Sequence, residues 1–206
     1  MNSEDVHQQR IQTAIGGLRQ FRLKQRRGMD LLLPGLFVGS LRDAQELDEL
    51  RKHGIKFIVS VLDFDRELDF DLEKDTKRLI IKLSDDGKEN IIQHIPIIND
   101  FIHAARLSGG SVLIHCLVGV SRSVCIAAAY LMSVTKLSYA AALAHIEARR
   151  SIARPNFGFR MQLCKFSCGG AEKERERLRS EAASAGLFDS LFHNDCLYTH
   201  SLYSNS

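Results

Sequence analysis

A short, mainly apolar run at residues 112–115 ends in a seven-residue loop, and an alanine-rich segment follows at once. A run of this length is typical of a strand buried on both faces of a sheet. From residue 31 onward, similar runs alternate with segments of helical periodicity, which predicts further strands at 36–38, 57–62 and 78–83. This alternation predicts a single α/β domain with a central, mostly parallel sheet that is flanked by helices.

Five helices are predicted around this sheet. Gly54 is placed to end the first helix, and Ser138 is placed to cap the fourth. Pro96 lies too deep for a first helical turn, so we expect it to kink the second helix or to delay its start. The predicted spans are 43–52, a segment that begins at Asn90, 122–135, 138–149 and a segment that begins near Asn156.

The chain of 206 residues is long enough for one well-buried core and too short for two comfortable domains. We therefore expect a basic N-terminal extension at 1–28, one folded domain at 29–167 and a C-terminal tail at 168–206. The basic extension is either a solvated arm or an amphipathic helix with a docking or nuclear-import role. The charged run at 172–179 is interpreted as a solvated face rather than as a helix with alternating charges.

Net charge and cysteine usage argue against several classes of function. The net charge of +3 is too mild for the concentrated basic surface that nucleic-acid binding needs, so no nucleic-acid partner is expected. Five irregularly spaced cysteines without a secretory leader favour a reducing compartment, the cytoplasm or the nucleus, over a secreted disulfide framework. No apolar run approaches the ~18 residues needed to span a bilayer, so no membrane partner is expected.

The loop after the predicted strand at 112–115 carries the chemistry. Cys116 stands directly before a helix N-terminus, where converging amides create a positive potential that binds a tetrahedral oxyanion such as phosphate. The same potential favours the thiolate, so Cys116 is the candidate nucleophile. The residues whose backbone is expected to bind the phosphate are Leu117, Val118, Gly119, Val120 and Ser121.

Three neighbours of Cys116 complete this candidate site. Arg122 lies six positions later, which allows its planar guanidinium to return to the same centre and clamp two phosphoryl oxygens. Ser123 can direct its hydroxyl to the sulfur and stabilise it as a leaving group. His115 is expected to orient the loop through hydrogen bonds rather than to exchange protons with a substrate. The alternative is a buried structural cysteine beside an incidental surface arginine. That alternative does not explain why His, Cys, Arg and Ser occur together at this spacing between a strand and a helix.

These residues resemble the signature of the protein tyrosine phosphatase superfamily: His-Cys, five residues, Arg, then Ser or Thr. Segments at 33–39, 129–132 and 149–159 make the chain similar, more narrowly, to the small atypical dual-specificity phosphatases over about residues 30–167. The resemblance implies a catalytic domain that needs no metal or cofactor and accepts phosphotyrosine, phosphoserine and phosphothreonine. Its implied partners are phosphorylated protein substrates, together with kinases or other signalling proteins.

The resemblance also implies a general acid on a loop upstream of the nucleophile. Asp85 is chosen because members of the family place the acid five residues before an Asn that opens the next helix, and Asn90 stands there; Asp86 is the alternative. Asn156 resembles an Asn that supports the phosphate loop. Arg150 lies where related enzymes carry a basic residue for a second phosphate on the substrate, and a solvated helix end is the alternative.

Other functions could use the same loop. Phosphoinositide and RNA 5′-phosphatases often carry basic residues inside the loop, whereas Leu117, Val118 and Val120 are apolar here, which favours a protein substrate. A module that binds phosphoproteins without hydrolysis usually lacks the Cys or the Arg, and this chain has both. Rhodaneses and arsenate reductases also use a Cys-centred anion loop, but they do not explain Asp85 together with the segments at 129–132 and 149–159.

Overall fold

The computed structural model of the chain describes residues 28–63, 75–182 and 185–201. Five strands form one sheet in these residues, in the spatial order β1-β2-β5-β3-β4. They are β1 (Asp30–Leu33), β2 (Leu36–Ser40), β3 (Ile55–Leu62), β4 (Lys77–Lys82) and β5 (Ser111–Cys116). β1 is antiparallel to β2, and the other neighbouring pairs are parallel. The predicted α/β class with a mostly parallel sheet is confirmed.

The parallel strands end together at one edge of the sheet, with Ser40, Leu62, Lys82 and Cys116 as their last residues. Ligands of open α/β sheets bind at this carboxyl edge, because the connecting loops converge there. β5 lies between β2 and β3, and its residues from Val112 to Cys116 are all buried. The topology therefore brings the loop after β5 to the centre of the carboxyl edge.

Seven helices surround the sheet in the described residues. They are α1 (Leu47–Lys52), α2 (Ile95–Leu107), α3 (Arg122–Val134), α4 (Tyr139–Arg149), α5 (Phe157–Ser167), α6 (Gly170–Glu181) and α7 (Ala185–Ser201). Every residue of α3 is buried, which makes it the central helix of the molecule. No described helix combines the length and apolarity that crossing a membrane requires.

Local sequence signals account for several helix ends. Ser138 caps α4 by accepting a hydrogen bond from the Ala141 amide, and Pro96 lies in the first turn of α2, so the proline delays the helix as expected. The predicted helix at 43–52 is wrong in its first half, where a 3₁₀ turn (Asp43–Gln45) precedes α1. The Asp43 carboxylate accepts hydrogen bonds from the Ser40 amide and hydroxyl instead of starting an α-helix. β1 was not predicted.

The charged run at 172–179 belongs to α6, and its interpretation as a solvated face holds for four of its seven charged residues, which are exposed, but not for the others. Glu174 is buried and accepts a hydrogen bond from Asn99 of α2 at 3.0 Å. Arg175 donates to the carbonyl oxygens of Met132 and Thr135 at 2.8 and 2.5 Å, so it caps the end of α3. Glu174 meets α2 and Arg175 meets the central helix because α6 packs against both, a tertiary contact that a charge pattern does not reveal.

The C-terminal helix α7 is also packed on the domain. Asp195 forms a bidentate ion pair with Arg106 of α2, with O–N distances of 2.7 and 2.8 Å, and both side chains are 1% exposed. The described part of 168–206 is therefore folded onto the helices that flank the sheet. The domain boundaries at residues 28 and 167 stay predictions, and residues 1–27 of the basic extension lie outside the described residues.

Candidate active site

Residues 116–122, which we call the phosphate loop, connect the end of β5 to the first turn of α3. Cys116 is the last residue of β5 and is 2% exposed, and Arg122 is the first residue of α3. Gly119 has a φ of 71°, a conformation that favours glycine. A Cβ at this position would also collide with the Gly39 backbone. The strand–loop–helix arrangement predicted from the sequence is therefore present, with its turn at the glycine.

The sulfur of Cys116 receives two polar contacts. The Gly119 amide donates to Sγ at 3.2 Å, and the Ser123 hydroxyl lies 3.3 Å from Sγ. The same hydroxyl donates to the Gly39 carbonyl oxygen at 3.4 Å. Because a hydroxyl has one hydrogen, it can turn from the carbonyl to the sulfur whenever negative charge accumulates there.

The guanidinium of Arg122 has partners at one nitrogen atom and none at another among the described residues. Its Nη1 donates to the Leu83 carbonyl oxygen at 3.0 Å and lies 3.4 Å from Oδ1 of Asp63. Its Nε is buried and has no hydrogen-bond partner among the described residues. A buried cationic donor without a partner is costly, and an oxyanion bound in the loop would supply the missing acceptor.

The two candidate acids differ in their contacts, although both are exposed. They lie in residues 84–90 after β4, which we call the acid loop. Oδ1 of Asp85 accepts hydrogen bonds from the Ser121 hydroxyl at 2.6 Å and from Nδ2 of Asn156 at 2.7 Å. The carboxylate of Asp86 instead accepts from the Lys88 amide within its own loop, at 3.0 Å. Only Asp85 of these two is joined to the phosphate loop by a hydrogen bond among the described residues.

Asn156 links three parts of the site. Its side chain caps α5 by accepting from the Phe159 amide at 2.9 Å, while its Nδ2 donates to Asp85. Its backbone amide donates to the Ser121 hydroxyl at 3.0 Å. Asn156 therefore contacts the phosphate loop, as the resemblance implies, and caps the helix that follows it.

His115 lies behind Cys116, away from the solvent. It is completely buried, its Nε2 lies 2.7 Å from the Ser60 hydroxyl, and its Nδ1 lies 3.4 Å from the Cys116 carbonyl oxygen. Burial lowers the pKa of His115 to about 4, so the imidazole is neutral at physiological pH. This geometry agrees with an orienting function for His115 and gives it no route to a substrate.

Arg150 does not lie on a substrate-accessible surface, and the expectation that it binds a second phosphate is corrected. The residue is 2% exposed, and its Nε donates to the Gly119 carbonyl oxygen at 2.6 Å. Its Nη1 forms an ion pair with Asp30 at 2.7 Å. The side chain turns inward because these partners satisfy its charge, so Arg150 supports the phosphate loop from behind.

The comparison with protein families agrees with this geometry. A family described as "Dual specificity phosphatase, catalytic domain" matches residues 36–168. The chain belongs to the dual specificity phosphatase family. The match includes β2 to β5, both loops of the site and the helices through α5, so the resemblance read from the sequence is confirmed.

Individual members of the dual specificity phosphatase family are similar over most of the chain. Dual specificity protein phosphatase 22 of Homo sapiens is 40% identical over 162 residues, which are 79% of this chain and 86% of that protein. Dual specificity protein phosphatase 15 of Mus musculus is 40% identical over 151 residues, which are 73% of this chain and 63% of that protein. The crystal structure of DUSP15 has a TM-score of 0.72 and 37% identity, covering 77% of this chain and 99% of that one.

The name of a further structural neighbour bears on the alternative of a binding module that does not hydrolyse its ligand. The crystal structure of human tyrosine phosphatase-like serine/threonine/tyrosine-interacting protein has a TM-score of 0.65 and 34% identity. It covers 69% of this chain and 97% of that one. The fold is thus shared with a protein that is named for interaction, but the matching family and the curated relatives are dual-specificity protein phosphatases. This chain is accordingly a protein phosphatase, and its substrates are phosphorylated proteins.

Four side chains of this family member were missed by sequence reasoning. Asp63 follows the end of the predicted strand at 57–62, and that position beside the carboxyl edge was the available signal. Gln162 of α5 holds the acid loop by donating to the Glu89 carbonyl oxygen at 2.8 Å. Ser60 and Arg78 lie behind His115, and their positions depend on strand pairing, which no local pattern reveals.

Proposed function

We propose that this phosphatase hydrolyses phosphotyrosine, phosphoserine and phosphothreonine in proteins through a phosphocysteine on Cys116. One arrangement carries the proposal: the Gly119 amide faces the sulfur while the buried Nε of Arg122 has no partner among the described residues. A phosphoryl group bound between them would lie against the nucleophile and give that donor an acceptor. Such donors stabilise charge that develops in the transition state, because they are oriented before the reaction begins.

The first step transfers the phosphoryl group. The thiolate of Cys116 attacks phosphorus, the bond from phosphorus to the substrate oxygen breaks, and its electron pair stays with that oxygen. Asp85 donates a proton to the departing oxygen, which leaves as a phenol or an alcohol. Arg122 and the loop amides hold the other phosphoryl oxygens throughout.

The second step regenerates the enzyme. Water attacks the phosphorus of the phosphocysteine while the carboxylate of Asp85 accepts a proton from it. The S–P bond breaks, and the electron pair returns to the sulfur of Cys116 as phosphate leaves. The Ser123 hydroxyl, 3.3 Å from the sulfur, would donate to the thiolate as it forms.

The rim of the site favours a protein over a highly charged small substrate. Four exposed apolar side chains lie in or next to the residues that form the site: Leu117, Val118, Phe157 and Met161. Phe157 is 75% exposed and follows Asn156 directly, so it stands beside the acid. An apolar rim suits the side chains that flank a phosphorylated residue better than an inositol polyphosphate or RNA.

Location and partners are further parts of the proposal. A reducing compartment keeps the Cys116 thiolate available, which supports the cytoplasm and the nucleus as locations. Kinases and other signalling proteins are proposed as partners, because their phosphorylated segments are substrates for an enzyme of this class.

Replacing the nucleophile tests the proposal. Cys116→Ser should reduce turnover of an aryl phosphate and a phosphotyrosine peptide below about a hundredth of wild type, because serine does not ionise at neutral pH. Cys164→Ser is the matched control, since Cys164 is an exposed free thiol on α5, and it should retain full activity. Residual activity of Cys116→Ser above that level would refute covalent catalysis. Faster turnover of phosphoinositides or 5′-triphosphorylated RNA than of phosphopeptides would favour the alternative substrate.

A further inference from the structure

Three polar side chains form a continuous row behind the nucleophile, each on a different strand. Nε of Arg78 on β4 donates to the Ser60 hydroxyl on β3 at 2.9 Å, and that hydroxyl lies 2.7 Å from Nε2 of His115 on β5. Ser60 pairs directly with His115 in the register of β3 and β5. Arg78 pairs with Ile58, two residues before Ser60, so its side chain is on the same face of the sheet.

The row fixes where the hydrogen of each group lies. Arg78 can only donate, so the Ser60 oxygen is the acceptor of the first bond. The Ser60 hydroxyl then has one hydrogen left to donate, and Nε2 of His115 is the acceptor available to it among the described contacts. Ser60 is completely buried, so a hydroxyl hydrogen without an acceptor would be costly. Nε2 of His115 is therefore unprotonated.

The contact of Nδ1, on the opposite side of the imidazole, independently indicates the same tautomer. Nδ1 lies 3.4 Å from the Cys116 carbonyl oxygen, which can only accept. If Nδ1 carried a lone pair, two acceptors would face each other in a buried place. The neutral ring therefore carries its hydrogen on Nδ1, and the row reads from Arg78 through Ser60 and His115 to the backbone of Cys116.

The surroundings of the ring favour its neutral form on balance. Burial is the largest cause of the lowered pKa of His115, and the nearby charge of Arg78 lowers it further. Asp43, in the 3₁₀ turn after β2, acts in the opposite direction, as does the hydrogen bond to the Cys116 backbone. A neutral ring gives the Cys116 thiolate no imidazolium partner, so His115 affects the nucleophile through the position of its peptide.

We propose that Ser60 and Arg78 are positioning residues for the reaction, which hold His115 as the neutral Nδ1–H tautomer and thereby fix the Cys116 carbonyl at the start of the phosphate loop. This inference rests on the proposed function only in taking Cys116 as the nucleophile. The fixed peptide sets the direction in which Cys116 projects its sulfur toward the Gly119 amide. Losing the Ser60 hydroxyl removes the hydrogen bond to Nε2, so the ring is held on one side only and the start of the loop loosens.

The tautomer can be measured without any substrate. In the full chain labelled with ¹⁵N-histidine, the long-range nitrogen–proton correlations of His115, assigned with His115→Gln, should show hydrogen on Nδ1 between pH 6 and 8. In Ser60→Ala the hydrogen should stay on Nδ1, because the Cys116 carbonyl still accepts it, but the Nε2 resonance should shift because its hydrogen bond is lost. Ser60→Thr, which restores a hydroxyl, should return that resonance to its wild-type position. Hydrogen on Nε2 in the wild-type protein would overturn the inference. The readout does not depend on turnover, so failure of the proposed function would leave it unchanged.

A second readout reports on the nucleophile. The pH midpoint of Cys116 alkylation by iodoacetamide should rise by about one unit in Ser60→Ala, which means roughly tenfold less thiolate below the midpoint. Arg78→Gln should shift it in the same direction by less, because the Ser60 hydroxyl remains. Ser60→Thr should restore the wild-type midpoint.

Two control variants separate positioning from general loss of stability or charge. Ser133→Ala removes an equally buried hydroxyl that donates to the Ala129 carbonyl oxygen within α3. Lys77→Gln removes an exposed charge from the same strand as Arg78. Both should leave the alkylation midpoint unchanged. If Ser60→Ala lowers the melting temperature as Ser133→Ala does but leaves the midpoint at its wild-type value, Ser60 is merely structural and the proposal fails.

Discussion

The two loops of the site are held in opposite ways. In the phosphate loop Cys116, Ser121 and Arg122 are each at most 5% exposed, and the loop is supported from behind by buried side chains such as Arg150. Asp85 in the acid loop is exposed, and its carboxylate is held by two hydrogen bonds to the side chains of Ser121 and Asn156. One loop is fixed by the core of the domain, and the other rests on its surface.

This difference corresponds to different chemical tasks. Groups that stabilise transition-state charge work best when they are oriented in advance and shielded from water, which suits the buried residues of the phosphate loop. A general acid must give up a proton in one step and recover it in the next, so contact with solvent is useful to Asp85. Substitutions in the phosphate loop should therefore affect all substrates, whereas those in the acid loop should depend on the leaving group.

The largest effect among the following variants is expected at the clamp. Arg122→Lys keeps the charge and removes the planar fork, so kcat should fall by roughly 10³-fold on every substrate, the scale reported for losing an oxyanion donor. Vanadate, which mimics the transition state, should inhibit the variant more weakly. Steady-state kinetics with an aryl phosphate and a phosphothreonine peptide measure both effects.

Arg154→Lys is the matched control for the clamp, because Arg154 is exposed and contacts the phosphate loop through its backbone amide. It should turn over substrate at the wild-type rate. Near-normal turnover of Arg122→Lys would locate the anion site elsewhere and would remove the distinction between the two loops.

The acid loop should give a selective effect. Asp85→Asn should lower turnover of a phosphothreonine peptide by about 10²–10³-fold, because an alkoxide cannot leave without a proton. An activated aryl phosphate, whose phenolate leaves unaided, should lose much less. Comparing kcat/KM on these two substrates measures the contrast.

Asp86→Asn is the control for the acid, since its carboxylate bonds only within its own loop in the described contacts. It should show no contrast between leaving groups. A contrast that appears in Asp86→Asn and is absent from Asp85→Asn would mean that the acid was assigned to the wrong aspartate.

The support behind the phosphate loop should give the smallest effect on rate. Arg150→Met removes the buried guanidinium that donates to Asp30 and to the Gly119 carbonyl oxygen, so the free energy of unfolding should fall by about 3 kcal/mol. Turnover at low temperature, where the variant is folded, should fall less than tenfold on both substrates. Urea unfolding and kinetics at 10 °C check the two parts. A loss as large as that of Arg122→Lys would indicate that Arg150 contacts the substrate after all.

The sequence predicted those parts of the site that depend on local order. A strand, a loop with Gly119 and a helix that begins at Arg122 are consecutive in the chain, so their spacing alone locates the phosphate loop. Ser60 and His115 are 55 positions apart and meet because β5 lies between β2 and β3. The inward turn of Arg150 depends in the same way on Asp30 in β1, a strand that was not predicted. Strand order and burial create these contacts, and a single sequence encodes neither in a local pattern.

Trapping the intermediate tests the central claim most directly. The full chain is mixed with excess aryl phosphate, quenched within milliseconds under denaturing alkaline conditions, and digested for peptide mass spectrometry. Phosphate should be found on Cys116, at higher occupancy in Ser123→Ala, because the sulfur then lacks the hydroxyl 3.3 Å away that helps it to leave. Phosphate on another residue, or turnover without any phosphorylated Cys116 in either protein, would contradict nucleophilic catalysis at this loop.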